Sequence, residues 1–224
     1  MRTDRLPIEI LPDKAAVALR AAELVVEHAR AAIAERAMFT LAVSGGHTPG
    51  AMFSELDRLD FPWDQTAIYQ VDERIAPDGD ENRNLTLLWD SLPEAAFSQL
   101  HPMPVRSDDL DDAAQRYARA LPDRFDLIHL GLGPDGHTAS LVPDDPVLDV
   151  SDCEVALTGA YMGLRRMTFT YPVLNRARAV LWLVTGAEKR DALRRLCVSD
   201  TSIPAGRVAS EHALIVADAA AGGS

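Results

Sequence analysis

Leu19, Ala22, Val26, Ala29 and Ile33 recur at steps of three and four, the spacing that lines one side of an α-helix, and they predict a helix over residues 13–37. The pattern then changes. "FTLAVSGG" (39–46) is too short and too rich in β-branched and aromatic residues for a helix, and it closes on two glycines, which reads as a buried strand running into a turn. Thr48 and Pro49 read as the N-cap and first position of the next helix. Further strands are predicted at 67–72 ("AIYQVD"), 125–131 ("FDLIHLG"), 167–171 ("MTFTY"), 179–184 ("AVLWLV") and 212–218 ("HALIVAD"), and further helices near 83–91, 109–121 and 187–197. Strands separated by helices imply an α/β fold with a mostly parallel sheet covered on both faces. With no internal repeat and no convincing linker, 224 residues suit one domain. Segments 74–82 and 142–152, rich in Asp and Pro, read as surface loops and as candidates to close over a ligand.

Composition narrows the partners. At 47% hydrophobic and 25% charged the chain can bury a full core. Lys and Arg number 22 against 34 Asp and Glu, and the net charge of −12 argues against a general nucleic-acid or anionic-membrane surface. Any anionic ligand must therefore meet locally concentrated cations. Cys153 and Cys197 form no CxxC pair, "MRTDRLPIEI" lacks the apolar core of a signal peptide, and no apolar run approaches the roughly 20 residues of a membrane span. The expectation is a cytoplasmic protein.

In a parallel sheet ligands gather beyond the carboxyl ends of the strands, so chemistry is sought directly after each one. "SGGHTPG" (44–50) places Ser44, Gly45 and Gly46 before a helix start, where small residues let backbone N–H groups and the helix dipole meet an anion. It has neither the GxxxxGK[ST] nor the GxGxxG spacing, and a plain tight turn would look similar. Asp72 and Glu73 beside Arg74 in "VDERIAP" suit acid/base work, hydroxyl binding or simple charge pairing. "LGLGPDGHTAS" brings Asp135 and His137 to a glycine-rich turn after a strand, an exposed place for a group that moves protons near neutral pH. Arg166, before "MTFTY", and Lys189, at the unfavourable positive end of a helix, make sense together if they share an anion with Ser44 and the glycine amides.

In order, "LAVSGGHTPGAMFSEL", "YQVDERIAPDGDENRN", "FDLIHLGLGPDGHTASLVP", "RRMTFTYPVLNRARAVLWLVTGAEK" and "SIPAGRV" resemble the motifs of the 6-phosphogluconolactonase family over about residues 9–218. The resemblance implies a Rossmann-like fold shared with glucosamine-6-phosphate deaminase and ribose-5-phosphate isomerase. It also implies hydrolysis of 6-phospho-D-glucono-1,5-lactone, without metal or organic cofactor. The expected partner is the small phosphosugar lactone, and the expected state is a monomer or weak homodimer. Two positions depart from the family pattern. His47 stands where a second serine is common in the glycine loop, and "RNLTLL" stands where "SN" is frequent. The deaminases carry a glutamate in a turn resembling "IAFNEPG", whereas this chain reads "TASLVPDDP", which favours the lactonase.

Under this resemblance His137 is the general base and Asp135, or a backbone carbonyl, fixes its tautomer. Asp72 binds hydroxyls or moves a proton, and N–H donors or Arg74 stabilise the tetrahedral oxyanion. Ser44, Gly45, Gly46, Arg166 and Lys189 hold the phosphate. The alternatives are an amino-sugar-phosphate deaminase or isomerase, and a non-catalytic sugar-phosphate sensor.

Overall fold

The structure is a computed structural model that describes residues 5–209 and 211–223. Its elements in chain order are β1 (Ile8–Leu11), α1 (Lys14–Arg36), β2 (Phe39–Val43), α2 (His47–Leu56), β3 (Thr66–Gln70), β4 (Asp72–Arg74), α3 (Asn84–Ser91), β5 (Leu100–His101) and α4 (Leu110–Arg119). They continue with β6 (Leu127–Gly131), β7 (Val155–Leu157), β8 (Arg166–Phe169), α5 (Tyr171–Leu174), β9 (Val180–Val184), α6 (Arg190–Cys197), β10 (Ala213–Asp218) and α7 (Ala219–Gly222).

Among the described residues, seven strands in the order β1-β10-β9-β6-β2-β3-β5 form one parallel sheet. Both faces are covered, as expected. On one, Val25 of α1 and Phe53 of α2 pack with Leu41, Leu127 and Leu183; on the other, Tyr117 of α4 and Leu193 of α6 pack with Ile128, Trp182 and Phe169. The chain leaves β2 in one direction along the sheet and resumes at β6 in the other, so β2 and β6 flank the switch point at which two loops part and leave a crevice. The turns carrying Ser44 and His137 are those two loops.

Several local readings change. α1 is capped by Asp13, whose carboxylate accepts the Ala16 N–H at 2.9 Å, and it ends where Ala37 turns left-handed. Its buried seam runs through Val17, Ala21, Val25, Ala29 and Ala32, while Leu19 is 42% exposed. A helix this rich in small apolar residues has no single side that periodicity alone must choose, and contact with both the sheet and α2 turns Leu19 outward. Thr48 is not the N-cap of α2: Gly46, at φ 122, begins the helix with no side-chain cap, and the Thr48 hydroxyl instead meets that of Thr185 at 3.1 Å.

The largest departure is a second sheet. β4, β8 and β7 pair antiparallel, so "MTFTY" is not a strand of the parallel sheet, and Asp72–Arg74 are not a loop after β3 but a strand of their own. β3 passes through Val71 into β4, and the register sets Asp72 opposite Thr168, Glu73 opposite Met167 and Arg74 opposite Arg166. Segment 142–152 contains a short 3-10 turn, Pro146–Asp149, with Val147 buried.

Candidate active site

An open cleft lies where the two sheets meet. Ser44, Gly45, Asp72, Arg74, His137, Arg166 and Lys189 line it, joined by Asn84, Leu132, Gly133 and Ala139. Of the residues anticipated from sequence, Gly46 and Asp135 are outside the lining. Gly46 supplies the turn into α2, and Asp135 stands behind His137.

The glycine turn after β2 is narrow for a steric reason. A Cβ on Gly45 would lie 1.9 Å from Asn84 Oδ1, so only glycine lets the loop approach α3 this closely. With no side chain capping α2, its first-turn N–H groups remain for an anion. The side chain of His47 lies outside the described residues.

Alternation along β4 divides its three ionisable groups. Asp72 and Arg74 turn to the cleft. Glu73 turns away, fully buried, and accepts the Asn84 and Leu85 N–H groups at 2.8 Å, holding the start of α3. Its role is structural. Asp72 carries one side-chain donor on each oxygen: Asn84 Nδ2 reaches Oδ1 at 3.1 Å and the Ser140 hydroxyl reaches Oδ2 at 2.6 Å, which leaves further acceptor capacity toward the cleft. Asn84 Oδ1 in turn accepts Arg74 Nη1 at 2.6 Å, orienting that guanidinium.

Arg74 and Arg166 are direct cross-strand partners, an arrangement in which like charges repel. Arg166 is buried, and burial together with the Arg74 charge depresses its pKa. Nε of each arginine has no hydrogen-bond partner. Among the described residues no carboxylate lies within ion-pair distance of Arg74, Arg166 or Lys189. In a chain of net charge −12, three cations without a carboxylate partner facing one cleft make a local positive patch of the kind that attracts anions.

Across the cleft the turn after β6 closes on itself, Gly133 N–H donating to His137 O at 2.8 Å and Gly136 N–H to Gly133 O at 3.0 Å. A Cβ on Gly133 would lie 2.0 Å from His137 Nδ1 and 2.6 Å from Asp135 Oδ1, so this glycine makes room for the pair. His137 Nδ1 meets Asp135 Oδ1 at 2.6 Å. Burial alone would raise the Asp135 carboxyl pKa, but hydrogen bonds from the His137 backbone and ring and from the Tyr161 hydroxyl outweigh it and hold the group below its usual value. An ionised carboxylate has no proton to give. Nδ1 therefore carries the hydrogen, and in the neutral form of the ring the lone pair is on Nε2.

The family model for "Glucosamine-6-phosphate isomerases/6-phosphogluconolactonase" matches residues 12–216. The chain belongs to that family. It is 38% identical to a 6-phosphogluconolactonase of Synechocystis sp. over 200 residues, 83% of this chain and 82% of that one. It is 32% identical to a 6-phosphogluconolactonase of Nostoc sp. over 232 aligned positions, gaps included, that cover 96% of each chain. The crystal structure of a Thermotoga maritima 6-phosphogluconolactonase superposes with a TM-score of 0.84 at 26% identity, covering 95% of this chain and 98% of that one. A monomeric glucosamine-6-phosphate deaminase shares the fold at a TM-score of 0.83 and 16% identity, with coverage of 96% and 98%.

In this family member three site residues carry little sequence signal. Ser140 is three positions past His137 in "DGHTAS" and looks like turn filler until its hydroxyl is seen on Asp72, 68 residues away. Asn84 lies in "RNLTLL", a segment that departs from the family pattern, and nothing in the sequence links it to Asp72 or Arg74. Tyr161 lies in a stretch with no motif. Arg207, in "SIPAGRV", donates Nε to Thr201 O at 3.1 Å and is outside the cleft lining.

His129, on β6 opposite Val43, lies buried beneath the glycine turn. Its Nδ1 and its carbonyl each lie 3.3 Å from the Ser44 N–H, and Nε2 has no partner. Burial pushes the imidazole pKa from its ordinary 6.5 down to about 3, so the unfolded chain takes up a proton in this window that the fold refuses. Stability is thus lost as pH falls below 6.5. Relative to His129→Leu, the wild type loses up to about 4 kcal/mol on going from pH 6.5 to 3, read from urea midpoints of both proteins. Parallel curves would mean that the fold itself accepts the proton.

Proposed function

We propose that this chain is a 6-phosphogluconolactonase that hydrolyses 6-phospho-D-glucono-1,5-lactone to 6-phosphogluconate in the oxidative pentose phosphate pathway, with His137 as general base. The observation that carries the reading is the oriented Asp135–His137 pair facing Arg74, Arg166 and Lys189 across one cleft. The cations and the Ser44–Gly45 turn hold the phosphate, and that remote binding energy orients C1 at His137 Nε2.

Nε2 takes a proton from water as the water oxygen bonds to C1, and the carbonyl π electrons move onto the oxygen. Arg74 and backbone N–H groups stabilise the resulting oxyanion. When the carbonyl re-forms, the C1–ring oxygen bond breaks, and the leaving oxygen takes the proton from the His137 imidazolium, returning the base. Asp72, with both oxygens already engaged, serves as a fixed acceptor for sugar hydroxyls rather than as the primary base. A cytoplasmic location and action as a monomer or weak homodimer accompany this reading; Cys153 and Cys197 are both free, as suits a reducing compartment, and no described helix is long and apolar enough to cross a membrane.

Acid release from freshly generated lactone, followed at a pH where spontaneous hydrolysis is slow, tests the proposal. A rate no higher than background, or ammonia released from glucosamine 6-phosphate in its place, sinks it.

A further inference from the structure

The geometry points to Tyr161 as a positioning residue that holds the Asp135–His137 pair and the Arg166 guanidinium at a fixed separation, an inference that rests on the lactonase reading. Three contacts converge on this one half-buried side chain. Its hydroxyl donates to Asp135 Oδ2 at 3.0 Å, its ring meets the His137 imidazole nearly edge-on with centroids 5.4 Å apart, and the Arg166 guanidinium carbon lies 4.9 Å from the ring centroid.

Each contact has a consequence for the reaction. Asp135 Oδ1 accepts both the backbone N–H of His137 at 3.1 Å and its ring Nδ1 at 2.6 Å, so these two bonds hold only one oxygen of the carboxylate. The phenol at 3.0 Å anchors the other oxygen, Oδ2, and fixes the plane in which Nδ1–H is held. Burial and the Asp135 charge raise the Tyr161 pKa, which keeps the phenol a donor. The ring face meanwhile offers the cation an attractive surface, so Arg166 is aimed without a carboxylate that would compete with a phosphate for it.

Tyr161 is itself held by a two-residue hairpin. Its N–H donates to Leu164 O at 3.0 Å, and its carbonyl oxygen accepts the return bond from the Leu164 N–H at 3.3 Å. Met162 at φ 53 and Gly163 at φ 82 provide the two left-handed residues such a turn needs. Met162 is 84% exposed, so packing of its own side chain does not account for its conformation. One rigid turn therefore sets the distance between the phosphate handle and the base.

The hydroxyl and the ring face have separable duties, and two variants of the whole protein divide them. Lactone hydrolysis gives kcat and KM, calorimetry with 6-phosphogluconate gives a Kd, and circular dichroism with thermal melts checks folding. Tyr161→Phe keeps the ring and is expected to lower kcat about tenfold, with KM and Kd within about twofold of wild type. Tyr161→Leu is expected to lose kcat to the same degree and in addition to raise KM and Kd about fivefold, because the platform under Arg166 is gone. A Phe variant with wild-type kcat overturns the assignment, as do Phe and Leu variants that shift kcat and KM by equal factors. If the Leu variant does not fold, the Phe result decides alone. A wild type without activity above background overturns the lactonase reading, and this assignment with it, before any variant is compared.

Discussion

His137→Ala is expected to lower kcat by about 10²- to 10⁴-fold, the range that a positioned base contributes, while the affinity for 6-phosphogluconate stays within a few-fold of wild type. The split follows from the layout of the cleft. The imidazole is held by the turn after β6, whereas the cations and the Ser44–Gly45 turn belong to β4, β8, β2 and the segment after β9. Removing the ring deletes the Nε2 lone pair and leaves those groups in place. It also leaves Asp135 with the Tyr161 hydroxyl and without its imidazole, a modest local loss at a half-exposed position. Stopped-flow measurement of acid release, corrected for spontaneous hydrolysis, gives kcat and KM; calorimetry with the product gives the affinity. Equal losses in rate and affinity would assign His137 to binding rather than to proton transfer.

Arg166→Met carries the second large effect, and it moves binding and stability in opposite directions. A charge-assisted contact between a buried guanidinium and a phosphate contributes about 1.5–3 kcal/mol, so KM and the Kd for 6-phosphogluconate are expected to rise about 10- to 100-fold. The fold has less to lose. Arg166 sits directly opposite Arg74, has no ion-pair partner within reach, keeps an unsatisfied Nε, and forms only long hydrogen bonds of 3.4 Å to the Ser140 hydroxyl and 3.5 Å to Tyr161 O. Methionine fills similar volume without charge, and the melting temperature is expected to stay level or rise. Such a trade is the usual mark of a group kept for its ligand rather than for the fold. A fall in melting temperature with unchanged KM would make Arg166 a structural residue and return the phosphate to Lys189 and the glycine turn.

The parallel sheet and its helices are legible in the chain because their signals are local. Periodicity brackets α1 to within a residue at each end, since helical hydrogen bonds reach only four residues back. The runs "FTLAV" and "VLWLV" declare strands buried on both sides, and the Ser-Gly-Gly and Asp-Gly-His turns follow strands as ligand sites do. β1, β5 and β7, of two to four residues, are too short for alternation to register. The cap of α2 is misread for a related reason: Thr-Pro has the composition of a helix start, but the φ of Gly46 and the neighbouring Thr185 decide which residue begins it.

By itself the sequence determined the fold class, the motif-bearing turns and the residue types of the chemistry, because each depends on neighbours along the chain. The small antiparallel sheet it could not determine. Strands as short as β4 and β8 are specified by pairing across long loops, and that pairing sets Arg74 against Arg166, sends Glu73 inward to hold α3, and leaves Asp72 facing the cleft. The same holds for Tyr161 and Ser140, whose hydroxyls acquire meaning only from carboxylates 26 and 68 residues away. Residue identity told which groups can move a proton or bind an anion; the crossing of two sheets decided which of them meet, because distance and desolvation exist only once the chain has folded.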